Sequence, residues 1–352
     1  MMQSRRSFTR TLAGLATAVG GAYVHAVPAA GRVVVLSTTD REWVQPLIDD
    51  FEREHGLKVD YRELGSVELN QHFLRDTAAA RPEVDVLWSS AMDLQVKLVN
   101  DGHAQAHESR HEAALPPWAV WKREAFGTTF EPIGVAWNRA VLGIEALPAT
   151  HAELRALLEE QQQRLRGRVC TYDIQHAGLG YLVAAQDAAA TPTHWDLVRA
   201  LGACRARLYA NTSAMLAGVR RGDMALAYNV LGPYAREYAR RHPEVSVGFL
   251  RDYTLVISRV AFISRHAPRP EAARLWLDHL LSQRGQALLA QVEGLYAVRD
   301  DVEMPRAVRA ARSQLGESAR PVALSPGLMA HLDRSVRAEF LKRWQREMSP
   351  GP

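Results

Sequence analysis

Residues 32–64 read RVVVLSTTDREWVQPLIDDFEREHGLKVDYREL. The run Arg32–Leu36 is short and apolar, which fits a strand buried on both faces. A polar corner follows, Ser37-Thr38-Thr39-Asp40. Trp43, Leu47, Ile48 and Phe51 then recur at helical spacing, and Gly56 stops the helix. Leu57–Leu64 reads as the next strand. Strand, corner, helix, strand is the unit of a parallel sheet wrapped by helices, so the chain is expected to be α/β.

The unit repeats outward from there. Gly65-Ser66 opens a helix carrying Leu69 and Phe73, Val84–Trp88 is a third strand, and Ser89-Ser90 opens the helix that runs to Gly102. The pattern returns at Gly167–Tyr172, with a corner from Asp173 to Gly178 and a helix after it. Arg207–Ala210 is short and extended, and Asn211-Thr212-Ser213 opens a helix ended by Gly222. Ala225–Tyr228 is a strand, and Asn229 to Pro233 leads into the next helix. Between the two sets lies GTTFEPIGVAWNRAVLG (127–143), punctuated by Gly and Pro. A second extended run, VSVGFLRDYTLVISRVAFISR (245–265), offers a return. Two α/β lobes joined by two crossings are expected, as suits about 325 residues.

Ahead of all this stands MMQSRRSFTRTLAGLATAVGGAYVHA. The uncharged run Leu12–Val24 is shorter than the roughly 20 residues of a spanning helix, and Val24-His25-Ala26 is a small-x-small cleavage pattern. Ser4-Arg5-Arg6-Ser7-Phe8 resembles the twin-arginine export signal. Residues 1–26 are therefore read as a signal peptide of twin-arginine type and the mature protein as periplasmic. Loss of Arg5, Arg6 and Arg10 takes the formal charge from +4 to +1. With no long basic block, nucleic-acid binding is not expected. Cys170 and Cys204 are the only cysteines; one disulfide or two isolated buried thiols are both compatible with that compartment.

Pro270–Arg299, PEAARLWLDHLLSQRGQALLAQVEGLYAVR, resembles the late helical signature of type 2 periplasmic solute-binding proteins, approximately PEAAxxFxxFLLSxxGQxxLxxxGxxPVR. Pro270, Glu271, Ala272, Ala273, Leu280, Leu281, Ser282, Gly285, Gln286, Gly294, Val298 and Arg299 fall in place, and Tyr296-Ala297 stands where Tyr-Pro is common. Val135-Ala136-Trp137-Asn138 resembles the element leading into the second lobe. The likeness covers about residues 31–300 and is nearest to the ferric-ion, phosphosugar and phosphonate branch. It implies a two-lobed Venus flytrap with a two-stranded hinge. The partners it implies are a small solute and an ABC permease of the inner membrane, or a membrane sensor kinase, and the protein is expected to act as a monomer. On this reading residues 31–135 begin lobe 1, 136–252 form lobe 2, and 253–352 return to lobe 1 and add C-terminal helices.

In open α/β sheets the ligand crevice lies beyond the carboxyl ends of the strands. There the sequence puts Ser37, Thr38, Thr39, Ser66, Ser89 and Ser90 from one lobe, and Asp173, His176, Gly178, Thr212, Ser213, Tyr228 and Asn229 from the other. Most sit at helix starts, where unpaired N–H groups and the dipole favour an anion. Each hydroxyl alone is also an ordinary helix cap, and Asp173 an ordinary Asx turn. A small anionic solute, phosphorylated or a phosphonate, is expected. Ferric iron is the alternative; the ferric branch uses two adjacent tyrosines, and no Tyr-Tyr pair occurs here.

No catalytic residue, metal set or cofactor is expected. Some relatives of this fold, such as thiaminases, use a cleft cysteine, but Cys170 in VCTY reads as a buried strand residue without a base. His103, His107 and His111 have i, i+4 spacing, yet Gly102 and Pro116-Pro117 argue against a helix there and for a solvated stretch.

Overall fold

The structure, a computed structural model, describes residues 31–292 and 294–349. The export signal lies outside them. Fourteen strands form two seven-stranded sheets among the described residues. The first contains β1 (Arg32–Ser37), β2 (Lys58–Glu63), β3 (Val86–Ser89), β4 (Ala104–Gln105), β5 (Val120–Trp121) and β6 (Ala125–Gly127). The second contains β7 (Glu131–Asn138), β8 (Val169–Tyr172), β9 (Arg207–Tyr209), β10 (Leu226–Leu231), β11 (Val245–Gly248) and β12 (Thr254–Ile257). β13 (Val260–Ser264) rejoins the first sheet, and β14 (Ala319–Pro321) joins the second. The first sheet runs β2-β1-β3-β13-β6-β5 and the second β14-β12-β7-β10-β8-β9.

The elements follow from the apolar pattern. Val33 to Leu36 are fully buried, as a central parallel strand requires. Beneath it Ile48, Phe51 and Leu47 of the Arg41–His55 helix pack with Trp88 and Trp276. In the second lobe Leu154, Leu201, Leu226 and Val135 make the corresponding core. A third cluster joins the lobes, from Leu87 and Phe262 to Leu182 and Phe340.

The chain crosses between Gly127 and Glu131, and back between Ile257 and Val260. These two crossings lie side by side. The N–H of Thr128 donates to the carbonyl of Arg259 (2.9 Å), and that of Arg259 to Thr129 Oγ1 (2.8 Å). These paired crossings form the two-stranded hinge between two lobes that the resemblance implies.

The C-terminal tail visits both lobes. Val322 bonds the carbonyl of Val256 in β12, and Leu324 that of Trp118 beside the first sheet. The 3-10 turn Pro326–Leu332 then packs on the Met92–Asn100 helix. The Arg334–Met348 helix packs on the His194–Ala203 helix, with Phe340 against Trp195 at 5.1 Å.

Candidate functional site

A cavity of about 470 Å³ opens between the lobes at the carboxyl ends of the strands. From the first lobe it is lined by Thr38, Asp40, Gly65, Ser66, Glu68, Gln71 and Ser90. From the second it is lined by Tyr172, His176, Asn211, Thr212, Ser213 and Tyr234, with Arg259 at the hinge. The Ser66–Ala78 and Gly178–Ala190 helices begin at this cavity, and neither start carries a side-chain cap. Their first N–H groups have no intrahelical acceptor. The Thr212–Arg220 helix differs, because Asn211 accepts from the N–H of Ala214 at 2.8 Å.

Six of the thirteen expected residues line the cavity: Thr38, Ser66, Ser90, His176, Thr212 and Ser213. Gly178 sits at its edge. A Cβ there would lie 2.7 Å from Ser66 Oγ, so glycine lets the two helix starts approach. Ser37 and Ser89 end their strands fully buried and accept from the N–H of Thr39 and Ala91, capping their own turns. Thr39 is buried and accepts from Arg259 Nη1 at 2.9 Å. Asp173 makes an Asx turn with the N–H of Gln175 and bonds His176 Nδ1 at 2.9 Å.

Tyr228 and Asn229 do not line this cavity. β10 runs on to Leu231, three residues past the expected strand end, because Val230 and Leu231 continue its apolar course. A bulge between Tyr228 and Val230, with Asn229 at φ +67°, interrupts the ladder. Both side chains instead donate to Asp187 Oδ2, at 3.0 and 2.8 Å, and Tyr253 donates to Oδ1 at 3.0 Å. Asp187 is 2 % exposed, so these three donors balance a carboxylate in the second-lobe interior.

Two residues that matter here, Arg259 and Tyr234, carried no clear signal. Arg259 is 4 % exposed and lies 3.0 Å from Glu131 Oε1 through Nε. Its Nη1 reaches Thr38 and Thr39 of the first lobe. Tyr234 donates to Asp40 Oδ2 across the cleft at 2.9 Å and accepts from Ser213 Oγ at 3.0 Å. Its ring sits 5.0 Å from Trp43. Burial raises the pKa of Tyr172 and Tyr234, so both stay protonated phenols.

The other candidates resolve elsewhere. Cys170 and Cys204 are free, buried thiols, and burial raises both pKa values. The His103–His111 stretch is not a helix, and His107 is not solvated: it is buried, with Nε2 at 2.8 Å from Asp278.

No curated protein sequence matches the chain. Solved structures do. One described as the substrate binding protein of the ABC transporter from Agrobacterium tumefaciens has 34% identity and a TM-score of 0.85, covering 92% of this chain and 96% of the other. Iron-bound HitA from Pseudomonas aeruginosa has 17% identity and a TM-score of 0.73, over 90% and 99%. AfuA from Actinobacillus pleuropneumoniae, with fructose-6-phosphate bound, has 18% identity and a TM-score of 0.71, over 90% and 98%. The last two speak to the fold alone. Residues 33–292 match the family described as bacterial extracellular solute-binding protein. Two lobes, a two-stranded hinge and a polar cavity between them agree with that match over most of the chain, which therefore belongs to the bacterial extracellular solute-binding proteins.

Proposed function

We propose that this protein is the periplasmic solute-binding component of an ABC importer, and that its solute is a small anion, phosphorylated or a phosphonate. The observation that carries the reading is the convergence of Arg259 with two uncapped helix starts, Ser66–Val67 and Gly178–Leu179, around one cavity. Arg259 supplies a permanent cation, and the N–H groups supply directed donors. Glu131 offsets part of that charge, so the anion meets the guanidinium edge and the helix ends together. Asp40, Glu68 and Gln71 on the same wall accept hydroxyl or ammonium hydrogens from the remainder of the solute. A cavity of about 470 Å³ suits a metabolite the size of a sugar phosphate. The Agrobacterium relative's ABC transporter and AfuA's fructose-6-phosphate support the reading.

Ferric iron is the second reading, favoured by two phenols and two carboxylates on the cavity wall, Tyr172, Tyr234, Asp40 and Glu68, and by the iron-bound neighbour. The raised phenol pKa values and the hydrogen bonds already made by both hydroxyls weigh against it. Mass spectrometry of solute released from purified mature protein, with calorimetry against sugar phosphates, phosphoglycerates, phosphonates and ferric citrate, tests the proposal. A phosphorylated compound should give saturable heat that Arg259→Gln abolishes. Tight iron binding with a visible phenolate-to-iron band, and no heat from any phosphorylated compound, would overturn it. Docking on a membrane sensor kinase in place of a permease is the alternative partner, and copurification with membrane proteins separates the two.

A further inference from the structure

On the outer side of the first lobe, away from the cleft, Glu54, His55 and His279 each bring one ligand atom within 4.8 Å of the others. Among the described residues no other group of His, Cys, Asp and Glu side chains does so. Glu54 and His55 end the Arg41–His55 helix, and His279 lies on the Pro270–Leu281 helix packed beside it. Glu54 is exposed, His55 half-buried and His279 only 4 % exposed, so the group forms a pocket with an open mouth.

From this geometry we infer a binding site for a divalent transition-metal ion of the zinc type. Two imidazole nitrogens and one carboxylate oxygen are a common zinc set, with a water completing the tetrahedron. Tetrahedral ligands at about 2.0–2.1 Å from the ion stand about 3.3 Å from one another. His279 Nδ1 already lies 3.4 Å from Glu54 Oε2.

The second nitrogen of His279 gives an independent indication. Nε2 is buried with no hydrogen-bond partner, and Asp50 Oδ2 lies 3.6 Å from it. Arg284 holds that carboxylate through two hydrogen bonds of 2.5 and 2.6 Å, and Arg53 also bonds it. A carboxylate facing Nε2 favours the tautomer with the proton on Nε2, which leaves the Nδ1 lone pair facing Glu54. A hydrogen bond from that second nitrogen to a carboxylate is the usual outer-shell arrangement of zinc sites, and Asp50 at 3.6 Å would have to close on Nε2 to complete it. An ordinary imidazole–carboxylate pair between His279 and Glu54 needs neither His55 nor the unpartnered Nε2. Arg284 lies 3.9 Å from Glu54 Oε2 but is committed to Asp50. An ion here would tie the C-terminal end of one helix to its neighbour.

The test uses tag-free, metal-stripped mature protein with zinc chloride, read by equilibrium dialysis with elemental analysis and by thermal melting. One zinc per chain and a raised melting temperature are expected. Glu54→Gln and His55→Gln, at accessible positions, should each weaken zinc at least tenfold and abolish the melting shift. Cobalt should give the intense visible bands of a tetrahedral site, lost in the same variants. No stoichiometric zinc on the wild type would overturn the site, as would zinc retained by the Glu54→Gln/His55→Gln double variant. Solute binding in the cleft is measured separately and bears on neither outcome.

Discussion

The hydroxyl of Tyr234 donates a 2.9 Å hydrogen bond to Oδ2 of Asp40, from one lobe to the other. Asp40 stands at the N-terminus of the Arg41–His55 helix, and Tyr234 belongs to the Gly232–Arg241 helix. Ser213 Oγ donates to the same hydroxyl, so a three-residue relay spans the mouth of the cavity. Because it links the two lobes, it should add to the stability of the closed form. Tyr234→Phe should therefore weaken solute binding by loosening the contact between the lobes, although the ring itself stays on the cavity wall. A net hydrogen bond of about 0.5–1.5 kcal/mol corresponds to roughly 2- to 13-fold in affinity. Calorimetry on the released solute, with scattering to measure the closed fraction, checks this. Unchanged affinity with an unchanged closed fraction would contradict it.

Ser90 and Tyr228 should separate binding from folding. Ser90 lines the cavity, and Ser90→Ala should weaken an anionic solute by about 10- to 150-fold if its hydroxyl makes one charged hydrogen bond, at about 1.5–3 kcal/mol. The apo melting temperature should barely move. Tyr228→Phe instead removes one of three donors to buried Asp187. It should cost about 1 kcal/mol of stability in urea unfolding and leave affinity unchanged.

These contrasts show why the sequence revealed some of the site and not the rest. The strand–corner–helix repeat is visible because buried parallel strands read as apolar runs, as in Arg32–Leu36. The corners at Thr38, Ser66, Ser90 and Thr212 follow from that repeat. Tyr228 and Asn229 were misplaced because the strand end was set three residues early, and a bulge then turned them inward. Arg259 needs Glu131, 128 positions away, and Tyr234 needs Asp40, 194 positions away. Local periodicity carries no trace of such pairs. The Cys alternative was open for the same reason.

Asp93 gives a pH dependence with a definite sign. It is 3 % exposed, and burial pushes its pKa up to about 7 from an unfolded value near 3.8. Between those values the folded state holds a proton that the unfolded state has lost. Stability conferred by this group therefore falls as pH rises from about 4 to about 7 and is level above that. Asp93→Asn keeps an acceptor for the N–H of Leu94. The stability difference, variant minus wild type, should grow across that window in urea titrations. A difference independent of pH would contradict the assignment.

Cys170 and Cys204 are buried free thiols, with the Cys204 pKa pushed up to about 11 by burial. Ellman's reagent should label neither in the native protein and both after unfolding. Reductant should leave the melting temperature unchanged. Fast native labelling, or a melting shift with reductant, would show the opposite.

The tail leaves β14, touches the first lobe at Trp118 and through the turn Pro326–Leu332, and returns to the second lobe with the helix carrying Phe340. A pair of adjacent strands is a pivot that can both bend and twist. A further attachment outside that pair should oppose the twist and leave the jaws a single axis, like a door on which a second hinge has been hung. Cutting the chain after Pro321 should free the second motion and broaden the spread of interlobe angles seen by solution scattering, while the pivot itself stays intact.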